Sequence, residues 1–164
     1  MKKTLLLLVA LLTFTAQQAS AQENPLKIVT QHPDLRVKVK RCAASDKTVI
    51  LDLVVTNTGD QDVTNVTFAA SGGIYCEAYD DEGNRYSQGT FKVKVANGAS
   101  YEDYYDNYRM VAGVPIKVSY RIEGVSTTAE YLAFVELGIN SEALGIGAST
   151  NKWVTIRNIP IARD

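Results

Sequence analysis

Alternation with a period of two constrains this chain more than any other feature. Leu35, Val37 and Val39 alternate with Arg36, Lys38 and Lys40, and Phe91, Val93 and Val95 alternate with Lys92 and Lys94. Ile116, Val118, Tyr120 and Ile122 alternate with Lys117, Ser119, Arg121 and Glu123. Successive side chains of a strand point to opposite faces, so each run is apolar on one side and polar on the other. Val49–Val55 is more uniformly apolar and suits a central strand. Further strands are expected at 66–70, 74–79 and 154–158. Residues 129–137 can be scored as a helix, but Tyr131, Phe134 and Val135 favour a strand. Turn formers separate the runs at Asn57-Thr58-Gly59-Asp60, Asp80-Asp81-Glu82-Gly83-Asn84 and Asn97-Gly98. Closely spaced strands with almost no helical period predict an all-β sandwich or barrel.

The chain begins with Lys2 and Lys3, continues through an apolar run from Leu5 to Phe14, and reaches Ala19-Ser20-Ala21 after a polar stretch. A basic start, a short apolar centre and small residues before a cleavage point are the parts of a secretory signal. Residues 1–21 are therefore expected to be removed, leaving a mature chain from Gln22. The apolar run is about ten residues, whereas a membrane span needs roughly 20. An uncleaved anchor is the alternative. With no cysteine near the cleavage point, the leader looks like that of a Gram-negative envelope protein, periplasmic or extracellular. Residues 22–33 read as a lead-in and 34–164 as one domain. The chain carries 17 basic and 18 acidic side chains, and loss of the two leader lysines leaves an excess of three acids. That balance gives no general drive towards nucleic acid.

Two cysteines, Cys42 and Cys76, lie in the mature chain, and an exported compartment permits a disulfide. A bridge would close a loop of about 35 residues, contributing roughly 3–4 kcal/mol in the chain-entropy model. The alternative is two separate thiols, one at a strand end and one packed in a sheet.

Catalytic and metal-binding signatures are sparse. His32 is the one histidine, next to Pro33 in the lead-in. The sequence has no Gly-x-Ser-x-Gly elbow, no phosphate-cradling glycine loop and no His-Glu-x-x-His helix. Carboxylate pairs such as Asp80/Asp81 and Glu102/Asp103 offer acid–base chemistry in principle, but in turns they read as solvated surface. Asp80, Asp81 and Glu82 before Gly83-Asn84 offer oxygen ligands for calcium, without the alternating spacing of an EF-hand loop. A non-enzymatic domain with no cofactor and no metal is the expectation.

Two surfaces stand out instead. The segment Tyr101-Glu102-Asp103-Tyr104-Tyr105-Asp106-Asn107-Tyr108 gathers four of the nine tyrosines. Tyrosine has an apolar ring and a polar tip, suited to stacking on sugars or anchoring a protein. The plainer reading packs Tyr101, Tyr104 and Tyr108 on an edge of the fold. Basic residues meanwhile fall on the polar sides of three strands: Arg36, Lys38 and Lys40; Lys92 and Lys94; Lys117 and Arg121. If those strands share a sheet, its outer face is cationic although the protein is acidic. Such a face would attract an anionic glycan, lipopolysaccharide or an acidic partner. The plainer reading is a solvated face whose lysines blunt edge strands.

The run Val49–Phe68 resembles the second and third strands of bacterial immunoglobulin-like repeats, where an alternating strand ends in Asn-x-Gly-Asp before a short apolar strand. Residues 126–137 are similar to a strand entry of fibronectin-type sandwiches, with Tyr131 in the place of the corner tyrosine. The resemblance implies an immunoglobulin-like antiparallel β-sandwich of about seven to nine strands, its corner tied by the Tyr131 hydroxyl. Such folds host many unrelated activities. The functional expectation is a secreted binding or adhesion module that takes a protein partner. The alternative is a carbohydrate-binding domain that uses Tyr101–Tyr108.

Overall fold

The computed structural model describes residues 25–70, 76–87, 89–141 and 152–163. The expected signal sequence, residues 1–21, lies outside the described residues. Among the described residues the chain is all-β, with twelve strands and no helix. The strands are β1 (Lys27–Thr30), β2 (Leu35–Ser45), β3 (Thr48–Asn57), β4 (Val63–Ala69), β5 (Glu77–Asp80) and β6 (Arg85–Tyr86), followed by β7 (Phe91–Val95), β8 (Tyr104–Met110), β9 (Pro115–Glu123), β10 (Tyr131–Asn140), β11 (Lys152–Pro160) and β12 (Ala162–Arg163). The part of 129–137 from Tyr131 onward is thus strand, as its aromatic and branched residues indicate.

These strands make two sheets. One has the order β12-β2-β3-β9-β7; the other has the order β1-β11-β10-β4-β8, with β5 beside β10 and β6 beside β5. Both β4 and β5 run antiparallel along the same edge of β10, Phe68 opposite Ile139 and Ala78 opposite Val135. They form one interrupted lane. At the neck of the interruption the Cys76 thiol donates to the Ala69 carbonyl at 3.0 Å. The pairing of β12 with β2 is parallel, whereas the other strand pairings among the described residues are antiparallel.

The core lies between the inner faces of the two sheets. Leu51, Leu53, Val118, Tyr120 and Phe91 from one sheet and Phe68, Leu132, Leu137 and Ile156 from the other are buried in one apolar cluster. Each fully buried large apolar side chain contributes about 1.5–3 kcal/mol over its exposed state. In β2 the alternation changes phase at a bulge between Val39 and Arg41. Leu35 and Val37 are buried before it, and Cys42 after it. The extra residue, Lys40, lets an odd step occur without turning apolar side chains outward.

Several elements differ from the sequence expectation. The lead-in contributes β1, which pairs with β11 through Lys27–Arg157 to Thr30–Val154. His32 sits in the turn after it, its Nδ1 accepting the Asp34 amide at 3.1 Å. The tyrosine segment contributes β8, which pairs with β4. These short edge strands, with β6 and β12, account for the larger strand number. Tyr131 opens β10, half-buried, and Tyr86 on β6 donates to Asp80 at 2.6 Å and accepts the Ser126 amide at 3.1 Å.

Cys42 and Cys76 are both buried and unbridged, so the disulfide considered from the sequence is not formed. Cys42 lies on β2 of one sheet and Cys76 at the start of the β5 lane of the other, where the Ala69 carbonyl holds its thiol. Burial pushes both thiols up to about 12. Inert buried thiols follow from that environment. A thiol reagent is expected to label neither cysteine in the native protein and both after denaturation; an oxidised pair would give no label in either state.

Tyr120 reaches into the core from β9, and its buried hydroxyl has no hydrogen-bond partner among the described residues. An unsatisfied buried polar group costs about 1–3 kcal/mol. Tyr120→Phe is therefore expected to stabilise the fold by about 1 kcal/mol, read as a raised denaturation midpoint. Phe68→Ala, which opens a void at a fully buried ring, should cost about 3–5 kcal/mol.

Candidate functional site

The three basic runs do lie in one sheet. Strands β2, β9 and β7 all belong to the five-stranded sheet, with β3 between β2 and β9. Because their apolar side chains face the core, the basic ones share the opposite face. Cross-strand registers set them in rows. Lys38 stands opposite Val54, which stands opposite Lys117. The next row runs Arg41, Asp52, Ser119 and Lys94. Beyond it come Ala43, Ile50, Arg121 and Lys92.

Asp52 is the acid at the centre of this face. Its side chain is 14% exposed, and it accepts the Ser119 hydroxyl at 2.5 Å. Arg41 approaches it at 3.8 Å and Lys117 at 3.9 Å from opposite sides. Both cations stay more than 60% exposed, so Asp52 orients them without withdrawing them from solvent. At the margin, Arg121 pairs with Glu123 and Lys92 with Asp103, each at 2.8 Å. Arg36, Lys38 and Lys40 are exposed and form no ion pair among the described residues. Exposed pairs of this kind add little stability.

One of the tyrosines belongs to this face. Lys94 Nζ lies 4.8 Å from the centre of the Tyr101 ring. Tyr101 is hydrogen-bonded to Ser119, which is buried on the outward side of its strand. Burial raises the Tyr101 phenol, as does the Asp52 charge, while Ser119, Arg121 and Arg41 pull it back. The structure thus joins Tyr101, Ser119 and Asp52 into one polar centre surrounded by cations.

The other tyrosines go elsewhere. Glu102 bridges to Val93 on the edge of β7, and the chain then crosses to the other sheet as β8. Tyr104 is 58% exposed there. Tyr105 donates to the Ser100 carbonyl at 2.9 Å and lies so close over Gly98 that a Cβ at that position would meet its hydroxyl. Tyr108 packs edge-on against Phe68, with ring centres 6.1 Å apart. Tyr101, Tyr104, Tyr105 and Tyr108 therefore do not form one aromatic surface.

In the Asp80–Asn84 turn the carboxylates already serve protein donors. Asp80 accepts the Glu82 and Asn84 amides, the Asn84 side chain and the Tyr86 hydroxyl, at 2.6–3.0 Å. Asp81 accepts the amides of Glu130 and Tyr131, and Glu82 the Thr128 hydroxyl. The turn is held together by the oxygens that a calcium ion would require. Glu102 and Asp103 are likewise engaged, by Ser100 and Lys92.

Sequence reasoning missed Asp52, which sits inside an apolar run and is exposed to its partners only by register. It also missed Glu77 and Glu136, which stand directly opposite each other on β5 and β10. Burial, then the charge of Glu77, raises the Glu136 carboxyl. Nothing local in the sequence links two glutamates so far apart.

No protein-family model matches this chain, and no curated protein matches it in sequence. Among solved structures, it is similar to a family 123 glycoside hydrolase from Clostridium perfringens, studied for glycolipid glycan hydrolysis. The TM-score is 0.42 and the identity 9%, over 85% of this chain and 27% of the hydrolase chain. This chain spans about a quarter of that enzyme. A likeness this weak carries neither fold nor activity across.

Asp80 supplies a pH test. Burial raises its carboxyl, but the bonds from Tyr86, Asn84 and Glu82 outweigh that and hold it below the ordinary 3.8. A depressed carboxyl stabilises the fold in full above its ordinary value, and the contribution is lost as pH falls through the depressed one. Asp80→Asn is expected to cost about 1–3 kcal/mol at neutral pH. The gap between variant and wild type should narrow below pH 3.8, measured by denaturation across that range.

Proposed function

We propose that this chain is an exported, non-catalytic binding domain of immunoglobulin-like sandwich type, acting through the outer face of its five-stranded sheet. The fold part rests on strand order. Taking β2, β3, β4, β7, β9, β10 and β11 as A to G, the sheets read A-B-E-D and C-F-G, the arrangement of an immunoglobulin domain. Strand β8 departs from it, lying beside β4 although it follows β7 in the chain. Export rests on the leader sequence alone.

The observation that carries the binding reading is one face with exposed Arg36, Lys38 and Lys40, which form no ion pair among the described residues, and exposed Arg41 and Lys117, on a chain whose net charge is negative. Clustered charge of one sign raises the local concentration of an opposite partner. Acidic macromolecules are the partner class. Carbohydrate recognition by the tyrosine segment has less support, because Tyr104 alone of its rings is broadly exposed.

The mature protein is expected to be held on a sulfonate cation-exchange resin at pH 7 and low salt. Lys38→Glu with Lys117→Glu should pass through, while Lys27→Glu, on the other sheet, should still be held. Passage of the wild type would sink the reading.

A further inference from the structure

We infer that the cationic face takes a linear acidic polysaccharide, its carboxylates on the lysine and arginine rows and its hydroxyls on Asp52 and the Tyr101 phenol. This rests on the binding face proposed above and names its ligand.

Three observations select that class. First, the cations do not converge. Neighbouring strands lie about 4.8 Å apart and alternate residues about 7 Å along a strand. Lys38 and Lys117, two strands apart in one row, are thus anchored about 10 Å apart. Lys94, Arg121 and Lys92 continue the array across β9 and β7. An array of single charges fits a chain with regularly repeated single charges, not one phosphate in a pocket.

Second, among the described residues the rows of this face present no broadly exposed large apolar side chain to anchor a protein or a lipid bilayer. Protein interfaces depend on a few large apolar or aromatic side chains, and membrane-surface binding needs apolar groups to insert. The exposed large hydrophobics among the described residues are Leu26, Val29, Tyr104, Val111 and Val114. They lie on or before β1, at the start of β8 and in the turn that leads into β9, whereas the apolar residues within the rows of this face, Ile50 and Val54, are half-buried.

Third, the centre of the face carries an acceptor. Asp52 would oppose any bare polyanion, yet Arg41 and Lys117 flank it at 3.8 and 3.9 Å. Such a trio can accept a hydroxyl on the carboxylate while pairing an acid on either side. The Tyr101 phenol adds a hydroxyl partner at the same place, and the buried Ser119 hydroxyl ties it to Asp52. Sugars with acidic groups present both kinds of partner; an acidic polypeptide presents far fewer hydroxyls.

The test titrates the mature protein with polygalacturonate, poly-L-glutamate, neutral dextran and phosphatidylglycerol vesicles, matched in anionic charge where charged. Polygalacturonate is expected to bind most tightly, with an affinity that falls steeply with salt, and dextran not at all. Lys38→Glu with Lys117→Glu should weaken polygalacturonate at least tenfold, and Lys27→Glu should not. Asp52→Asn should strengthen poly-L-glutamate and weaken polygalacturonate, opposite shifts that a purely structural role would not produce. Equal or tighter binding of poly-L-glutamate or vesicles overturns the polysaccharide inference but leaves an electrostatic face. Binding of none of the polyanions, together with passage through the cation exchanger, overturns both.

Discussion

Burial of the inner side chains of β3 and β9 determines where the charges of this molecule go. Val49, Leu51, Leu53 and Val55 are buried on β3, and Val118, Tyr120 and Ile122 on β9. A pleated strand has two faces, so filling one with apolar groups sends every intervening residue to the other. Adjacent β2 and β7 obey the same rule through their register. The cationic face is therefore a consequence of the core. A register slip of one residue would turn lysines inward at a cost no surface interaction could offset. The bulge at Lys40 keeps β2 within this rule while changing its phase.

Charges gathered in this way repel one another, and the fold tempers that with a single central acid and acids at the rim. Asp52 lies between Arg41 and Lys117. Asp103 and Glu123 take Lys92 and Arg121 at the margin. The segment that supplies Asp103 is the crossover between sheets, and it also lays Tyr101 over Ser119. One short connection thus closes the β7 edge through Glu102, neutralises a lysine and builds the polar centre. The outer side of the opposite sheet holds the opposed Glu77 and Glu136, and Arg157 against the Phe134 ring.

Much of the fold was legible. Alternation placed β2, β3, β7 and β9, and the mixed run containing Tyr131, Phe134 and Val135 is the strand β10. Edge elements were not legible. Lys27–Thr30 is too short for periodicity to register, and Tyr104–Met110 is masked by acids and tyrosines that break alternation. At the Asp80–Asn84 turn the residue types suit an ordinary turn or an ion site alike. Only the bonds from Tyr86, Asn84 and Glu82 distinguish the first. The cysteines carried no signal of their pairing, because burial in opposite sheets is a property of topology rather than of spacing.

By itself the sequence determined the class of structure and the side of each strand on which its lysines and arginines stand, because period two is a local property of the backbone. Tertiary structure alone decided that those strands lie side by side, that Asp52 sits among their cations, and that Tyr101 joins them while Tyr105 and Tyr108 turn to the other sheet. The reason is the same in each case. These relations are set by hydrogen-bonded register between segments far apart in the chain, which no local pattern encodes.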